Sequence, residues 1–280
     1  LLPECFVDDR KSGRRYVGSA RTGVIVDDAG ATFATAPGGV YGMEIIGDEI
    51  WAVVNDAAPY EKSGETPPTA GVYAFDRATG ALRRSTQSPY KKALFGDIES
   101  TPAGVVVSDS LTPRILALKK RTDALEPFAA DSRFVNLQGL AYDGRRRKLF
   151  VADYLAGIFL IDLKSGDVTE LRNDADAHLG GIDGLYMYKG DLIGIQNGTT
   201  PQRIVRVTLD KAGFAATRLD VIQQNIAEWR EPTNGQIVGD EILYVATSNW
   251  PAYGEDGSVI DDIARAPVRI MSAPLDVPKN

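Results

Sequence analysis

One position recurs along the chain at intervals of 37 to 55 residues, and most of its six occupants carry a polar side chain that could bind a ligand. We name these six residues the first polar set. Each stands near the start of a short β-like run, one per repeat of the sequence. The positions are Glu4, Tyr41, Gly96, Gln138, Asp183 and Asn234. Four of the six carry a carboxylate or amide oxygen. Oxygen donors of this kind favour a hard divalent cation, Ca²⁺ or Mg²⁺, with water completing the coordination.

A second set of polar residues follows the first, each member 13 to 15 residues after its partner. Its members are Ser19, Asn55, Asp109, Asp153, Asn197 and Ser248. Because consecutive antiparallel strands return to the same edge of a sheet, both sets are expected at one end of the fold. There the second set could hydrogen-bond the hydroxyl groups of a polar substrate. The alternative is that Asp and Asn follow these strands simply as turn residues.

The repeat that carries both sets predicts the fold. An apolar segment after Gly or Arg begins at residues 23, 71, 114, 157, 203 and 268. A second apolar segment precedes each of these segments, and a third lies between the two. Gly, Asp and Pro separate the segments, as expected for strands joined by turns. A unit of about 40–50 residues with four strands is a propeller blade. We therefore predict an all-β, six-bladed β-propeller with four-stranded blades, forming a single domain over residues 1–280.

The last blade departs from this rhythm, because its interval is 65 residues instead of 43 to 48. The extra length is a polar insertion at about 249–266, expected to be a solvated loop or a lid. Trp250 and Tyr253 within it could stack on a substrate or pack on the rim of the channel. No clear fourth strand follows residues 268–275. Because a propeller must close its ring, one hypothesis is that residues upstream of Leu1 supply this strand.

Composition excludes several classes of function. The chain has 280 residues and a net charge of −7, which argues against general nucleic-acid binding. Its apolar runs are far shorter than the roughly 18 residues of a membrane span. The single cysteine, Cys5, and the single histidine, His178, exclude multi-Cys and multi-His metal sites. His178 is expected in an exposed loop, the alternative being that it faces the channel mouth as a general acid or base. The compartment stays unknown, with a slight preference for a periplasmic or secreted protein because the sequence starts at Leu1.

Three short motifs on this repeat resemble the SMP-30/gluconolactonase/LRE-like family of six-bladed propellers. Pro3-Glu4, followed by FVDD, looks like the family's opening metal-ligand glutamate. The segment 138–142, QGLAY, leading to 149–153, LFVAD, is similar to the family's Asn-Gly-Leu motif. The segment 182–186, IDGLY, looks like its Asp-Gly-Met/Leu motif. The resemblance implies that Glu4, Gln138 and Asp183 hold one divalent cation, with Asn234 in or beside the coordination sphere.

Two positions depart from the family pattern. Gln138 replaces the expected Asn, so its amide reaches about one methylene further. Gly96 stands where sugar-lactonase members carry an Asn that contacts substrate, and its lack of a side chain is expected to leave space there.

The resemblance implies a metal-dependent hydrolase of a lactone or related ester. Asp183 is the catalytic candidate, and the cation is expected to be Ca²⁺. Asn55, Asp109, Asp153 and Asn197 are the predicted substrate contacts. The expected partner is a small lactone or sugar-like molecule, without nucleic acid or membrane. The competing hypothesis is a non-enzymatic propeller that binds a ligand or protein at its channel mouth, with a structural metal or none.

Overall fold

The computed structural model describes residues 1–63, 69–119 and 123–276. Six antiparallel sheets follow one another along the chain, and each is built mainly from strands in sequence order. The inner strand of each sheet packs against the inner strands of both neighbouring sheets, and the last packs against the first. The prediction of a six-bladed β-propeller is confirmed. Within the described ranges, no helix has the length and apolar character needed to cross a membrane.

The first four blades each have four strands. Blade 1 contains β1 Pro3–Asp9, β2 Arg14–Ser19, β3 Val24–Asp27 and β4 Thr32–Thr35. Blade 2 contains β5 Gly39–Ile46, β6 Glu49–Asp56, β7 Thr69–Asp76 and β8 Leu82–Gln87. Blade 3 contains β9 Phe95–Thr101, β10 Gly104–Asp109, β11 Arg114–Leu118 and β12 Leu125–Ala129. Blade 4 contains β13 Leu137–Asp143, β14 Lys148–Asp153, β15 Gly157–Asp162 and β16 Val168–Glu170.

The last two blades depart from four strands in opposite directions. Blade 5 contains β18 Ile182–Tyr188, β19 Asp191–Gln196, β20 Arg203–Leu209 and β21 Ala215–Gln224. A short fifth strand, β17 Arg172–Asn173, pairs in parallel with β21 on the outer edge. The described part of blade 6 has three strands, β22 Gly235–Val238, β23 Glu241–Val245 and β24 Ile270–Pro274. The insertion at 249–266 lies between β23 and β24 and begins with a 3₁₀ turn, Trp250–Ala252.

The hydrophobic core lies between adjacent blades, because each sheet is covered on both faces. Between blades 1 and 2, for example, Tyr16, Ile25, Val40, Ile50 and Phe75 belong to one buried cluster. Strands that are buried on both faces have continuous apolar sequences. This is why the repeated apolar segments can be recognised in the sequence.

An irregularity near the start of the inner strand occurs in each of the first five blades. The pairing register shifts between Pro3 and Cys5 in β1 and between Val40 and Gly42 in β5. Comparable shifts occur in β9, β13 and β18. A β-bulge turns the extra residue out of the regular alternation and is common beside functional sites. The shifts coincide with the first polar set, so they direct this set toward the channel mouth.

Candidate functional site at the channel mouth

Five members of the first polar set line one cavity of about 240 Å³, which we name the mouth cavity. These five are Glu4, Tyr41, Gly96, Gln138 and Asp183. They come from five different blades, so the ring closure of the propeller brings them together. None of the described residues that line this cavity is Lys, Arg or His.

Asp183 sits at the base of a short hydrogen-bond chain. The amide nitrogen of Asn197 donates to Oδ2 of Asp183 at 2.7 Å, and the hydroxyl of Tyr154 donates to Oδ1 of Asn197 at 2.9 Å. Both partners also line the mouth cavity. Burial raises the pKa of Asp183 to about 6, although the bond from Asn197 opposes this shift. Asn197, predicted as a substrate contact, therefore also orients Asp183.

Glu4 is 6% exposed and faces the mouth cavity beside Asp183. The indole nitrogen of Trp250, from the insertion, donates a hydrogen bond to Oε2 of Glu4. Burial raises the pKa of Glu4 well above its usual value, and the negative charge of Asp183 raises it further. The cavity thus holds two carboxylates that disfavour each other's ionisation in the absence of a positive charge.

Glu231 is a third carboxylate of the mouth cavity, and the sequence reasoning missed it. Burial, followed by the charge of Asp183, raises the pKa of Glu231 to about 7. Its backbone is left-handed, with φ of 63°, which is uncommon for a residue other than glycine. Its carbonyl accepts a bond from Oγ of Ser248 at 2.7 Å, which fixes the loop before β22. Neither polar set contains Glu231, because it lies in a loop outside the repeated strands.

Gln138 and Gly96 form a complementary pair. The amide nitrogen of Gln138 donates to Oδ1 of Asn136 at 2.6 Å. A Cβ atom on Gly96 would lie 2.9 Å from Oε1 of Gln138 and 3.1 Å from the carbonyl of Leu137. The longer Gln138 side chain therefore extends beside the space that a side chain at position 96 would occupy. The two departures from the family pattern compensate for each other, and the expected empty space at Gly96 is partly filled.

Asn234 lies beside the mouth cavity and is not part of its lining. Its side-chain oxygen accepts from the hydroxyl of Tyr186 at 3.3 Å, and its nitrogen donates to the carbonyl of Tyr41 at 3.3 Å. It lines a second cavity further along the channel instead of the mouth cavity. The structure therefore does not place Asn234 with Glu4, Gln138 and Asp183 as a ligand, and its amide links blade 6 to blades 2 and 5.

Three predicted substrate contacts are engaged elsewhere. Asn55 joins blades 2 and 3 by exchanging two hydrogen bonds of 2.8 Å with the backbone of Phe95. Asp109 and Asp153 each accept backbone N–H bonds from residues two and three positions ahead. All three side chains are fully buried and lie outside the lining of the mouth cavity. The structure does not bring these three side chains to the mouth cavity, and their contact with a substrate stays a prediction.

The two serines of the second set also serve local structure. Oγ of Ser19 accepts from the backbone nitrogens of Leu2 and Thr22, at 3.3 and 3.2 Å. Ser248 holds the loop of Glu231, as described above. His178 is exposed and does not line the mouth cavity, as expected for a loop histidine.

A second acidic cavity, which we name the channel cavity, has a volume of about 250 Å³. Glu44, Asp97 and Glu99 line it, and none of its described lining residues is basic. Burial raises the pKa values of Glu44 and Asp97 to about 7, and that of Glu99 well above its usual value. The negative charge of Asp183 also raises the pKa of Asp97. The two cavities are therefore electrostatically linked.

The side chains at the mouth offer oxygen donors to the implied divalent cation. Among the described residues, no group of three or more His, Cys, Asp and Glu side chains is arranged to hold a metal. Oε2 of Glu4, Oδ2 of Asp183 and Nε2 of Gln138 each bond to a neighbouring side chain. Within the described ranges, no hydrogen bond involves the second oxygen of either carboxylate or Oε1 of Gln138. Two carboxylates and one amide are too few to enclose a Ca²⁺ ion, which takes six to eight oxygen ligands. They fit a Ca²⁺ ion that keeps several water ligands.

No family model matches the chain, and no curated protein matches it. Similarity to solved structures is extensive at low identity. An aldose sugar dehydrogenase from Streptomyces coelicolor, in its PQQ-bound form, matches with a TM-score of 0.64 and 14% identity, over 98% of this chain and 94% of that one. A protein described as an oxidoreductase (glucose dehydrogenase) from Thermus thermophilus matches with a TM-score of 0.61 and 16% identity, over 97% and 96%.

A nidogen/laminin complex matches with a TM-score of 0.60 and 16% identity, over 85% of this chain and 86% of that one. At these identities the similarity defines the fold class, a β-propeller, and no particular activity. Membership of the SMP-30/gluconolactonase family stays a prediction from the three motifs.

Proposed function

We propose that the mouth cavity binds one divalent cation, Ca²⁺ in the first instance, and hydrolyses a lactone or related ester of a small polar molecule. The observation that carries this proposal is the facing of Glu4, Asp183 and Glu231 into one small cavity that no described basic residue lines. Buried carboxylates in a cleft whose pKa values are raised in this way are candidates for a functional site. A cation would offset the repulsion between Glu4 and Asp183.

The cation and the side chains of the mouth cavity would have separate roles in ester hydrolysis. A bound divalent cation supplies electrophilic polarisation of the ester carbonyl and acidifies water. Asn197 holds Oδ2 of Asp183, so Oδ1 would serve both roles: one lone pair would bind the cation, and the other would accept a proton from the attacking water. Water then adds to the carbonyl carbon and the ring C–O bond breaks. Glu231, which lines the same cavity, would act as the general acid that donates a proton to the departing alkoxide.

The charge of the site favours hydrolysis over quinone-dependent oxidation. One structural neighbour is a PQQ-bound sugar dehydrogenase. PQQ carries three carboxylic acid groups, and the mouth cavity of this chain presents three carboxylates with no basic side chain among its described lining. Like charges brought together in a poorly solvated site repel strongly. The acidic lining of the mouth cavity therefore disfavours PQQ as a ligand of this protein.

A non-enzymatic binding propeller is the second candidate. Three exposed apolar side chains, Leu111, Val135 and Leu155, are chain neighbours of the cavity-lining Ser110, Asn136 and Tyr154. Apolar side chains beside a polar cavity suit the capture of a ligand or partner without turnover.

The test compares γ- and δ-lactones in the presence of added Ca²⁺, Mg²⁺, Mn²⁺ or Zn²⁺. Asp183→Asn removes both the proposed base and a proposed cation ligand without changing side-chain size, and kcat/KM is expected to fall by at least about 10²–10⁴-fold. Asp174→Asn, at an exposed surface ion pair with Arg172, is the matched control and should leave turnover unchanged. Absence of turnover in folded, Ca²⁺-loaded protein would contradict the hydrolase and favour the binding propeller.

A further inference from the structure

The insertion at 249–266 is closed at its base by hydrogen bonds between its two ends, and its tip is fastened to blade 1. At its base, Oδ1 of Asn249 accepts from the backbone nitrogen of Ala266 at 2.8 Å, and Nδ2 of Asn249 donates to the carbonyl of Ala266 at 3.1 Å. At its tip, Arg21 of blade 1 donates to the carbonyl of Gly257 at 2.9 Å. Arg21 also lies 5.0 Å from the ring centroid of Tyr253. The insertion is thus held across the junction of blades 6 and 1.

Fastening of the insertion fixes Trp250. Asn249, at the base, has a left-handed backbone with φ of 67° and starts the 3₁₀ turn that carries Trp250. The indole ring lies 6.2 Å from the ring of Tyr41, measured between centroids, and both rings line the mouth cavity. The indole N–H reaches Oε2 of Glu4, which is 246 positions away in the sequence. Trp250 is thus a wall of the cavity and a hydrogen-bond donor to a carboxylate within it.

A carboxylate that binds a cation through one oxygen needs its other oxygen to be satisfied when it is buried. An indole N–H is a donor without acceptor capacity, so it can bond only to the carboxylate and cannot compete as a ligand. The bond from Trp250 therefore selects one orientation of Glu4, in which Oε1 is left for a ligand. Without this donor, Glu4 could turn and Oε2 would lose its buried partner.

We propose that Trp250 is a positioning residue for cation binding: the insertion holds its indole N–H against Oε2 of Glu4 and so presents Oε1 of Glu4 to a divalent cation. This inference rests on the proposed cation site at the mouth. It assigns the insertion a function that neither a solvated loop nor a substrate-stacking wall would have.

The test measures Ca²⁺ binding by calorimetry, without reference to turnover. Trp250→Phe keeps an aromatic ring beside Tyr41 and removes the N–H group. The dissociation constant for Ca²⁺ is expected to rise about 10- to 100-fold, because a hydrogen bond to a charged group that would bind the cation is lost. Trp229→Phe is the matched control, since its indole N–H donates to the hydroxyl of Tyr244 at 3.1 Å, away from the mouth cavity. Its Ca²⁺ affinity should equal that of the parent protein.

Two further measurements separate positioning from a merely structural role. In a Glu4→Gln background, Trp250→Phe should cause no further loss of affinity, because the two residues act through one bond. Tryptophan emission should shift on Ca²⁺ addition in the parent protein and in Trp229→Phe, and should not shift in Trp250→Phe.

The outcomes distinguish this inference from the proposed function. Parent-like Ca²⁺ affinity in Trp250→Phe would overturn the positioning role, even if lactones are hydrolysed. Failure of the parent protein to bind any divalent cation would overturn both. Weakened binding in Trp250→Phe, together with no lactone turnover, would support the positioning role and contradict the hydrolase.

Discussion

Position 96 shows how one residue decides the shape of the mouth cavity. Sequence comparison treats Gly96 and Gln138 as two separate departures from a family pattern. In the structure they are neighbours, because the inner strands of blades 3 and 4 pack side by side. The sequence places each residue at its blade, but the contact between them depends on the register of β9 and β13. That register depends on bulges that the repeat does not reveal.

This contact gives a residue-scale prediction. Gly96→Ala would place a Cβ 2.9 Å from Oε1 of Gln138, so the amide must move and Ca²⁺ affinity should fall about 5- to 10-fold, the cost of losing roughly one hydrogen bond. Adding Gln138→Asn shortens the amide and should recover part of the loss. Gly144→Ala is the control, since its Cβ would meet only one ring atom of Tyr142, at 3.7 Å. Additive losses in the double variant, measured by calorimetry, would refute the compensation.

At the scale of the element, the sequence does not distinguish the two possible roles of a polar residue at the end of a strand. An aspartate directly after a strand either faces a cavity or closes its own turn, and the sequence position is the same in both cases. Asp109 and Asp153 close turns, with the same two- and three-residue spacing as Asp76 and Asp162 in outer hairpins. Asp183 differs because it is the second residue of β18 and accepts a hydrogen bond from the side chain of Asn197 instead of from a turn. The structure brings five members of the first polar set to the mouth cavity and only Asn197 of the second.

Asp153 and Asp183 should consequently respond in opposite ways to the same substitution. Oδ2 of Asp153 accepts from the backbone nitrogens of Val135 and Asn136, at 2.6 and 3.1 Å. Asp153→Asn should lose acceptors for these groups, which lowers the free energy of unfolding by about 1–3 kcal/mol, with Ca²⁺ affinity unchanged. Asp183→Asn should abolish Ca²⁺ binding and raise stability above pH 7, because it removes a buried charge whose pKa is raised. Urea unfolding and calorimetry on both variants would show whether this contrast holds.

At the scale of the whole molecule, closure of the ring concentrates negative charge along the axis. Blade 6 meets blade 1 through side chains: Oγ1 of Thr233 donates to the carbonyl of Glu4 at 2.8 Å. The backbone nitrogen of Asp8 donates to Oε1 of Gln236 at 2.6 Å. The six-fold repeat predicted this architecture, since only a closed ring explains six similar units. It did not predict the acidic channel, because Glu44, Asp97 and Glu99 belong to only two of the six inner strands.

The acidic channel makes stability depend on pH in a definite direction. Oε2 of Glu44 is buried without a hydrogen-bond partner among the described residues. Burial raises the pKa of Glu44 from 4.5 to about 7, against bonds from Ser100 that lower it, while Asp97 and Glu99 share its cavity. Because the folded-state pKa is raised, the unfolded chain loses its proton first as the pH increases. The stability present below the unfolded value is therefore lost progressively up to about pH 7.

Glu44→Gln should remove this loss, because a glutamine at this site cannot ionise. Near pH 4.5 the variant and the parent should unfold with nearly equal free energies, since Glu44 is then protonated in the folded state. At about pH 8 the variant should be more stable by about 1–3 kcal/mol, the scale of a raised carboxyl pKa. Glu241→Gln, at an exposed position of β23, is the control and should show no such difference. Equal stability of Glu44→Gln and the parent protein at both pH values would mean that the channel carboxylates are neutralised by another group, a bound cation being the first to test.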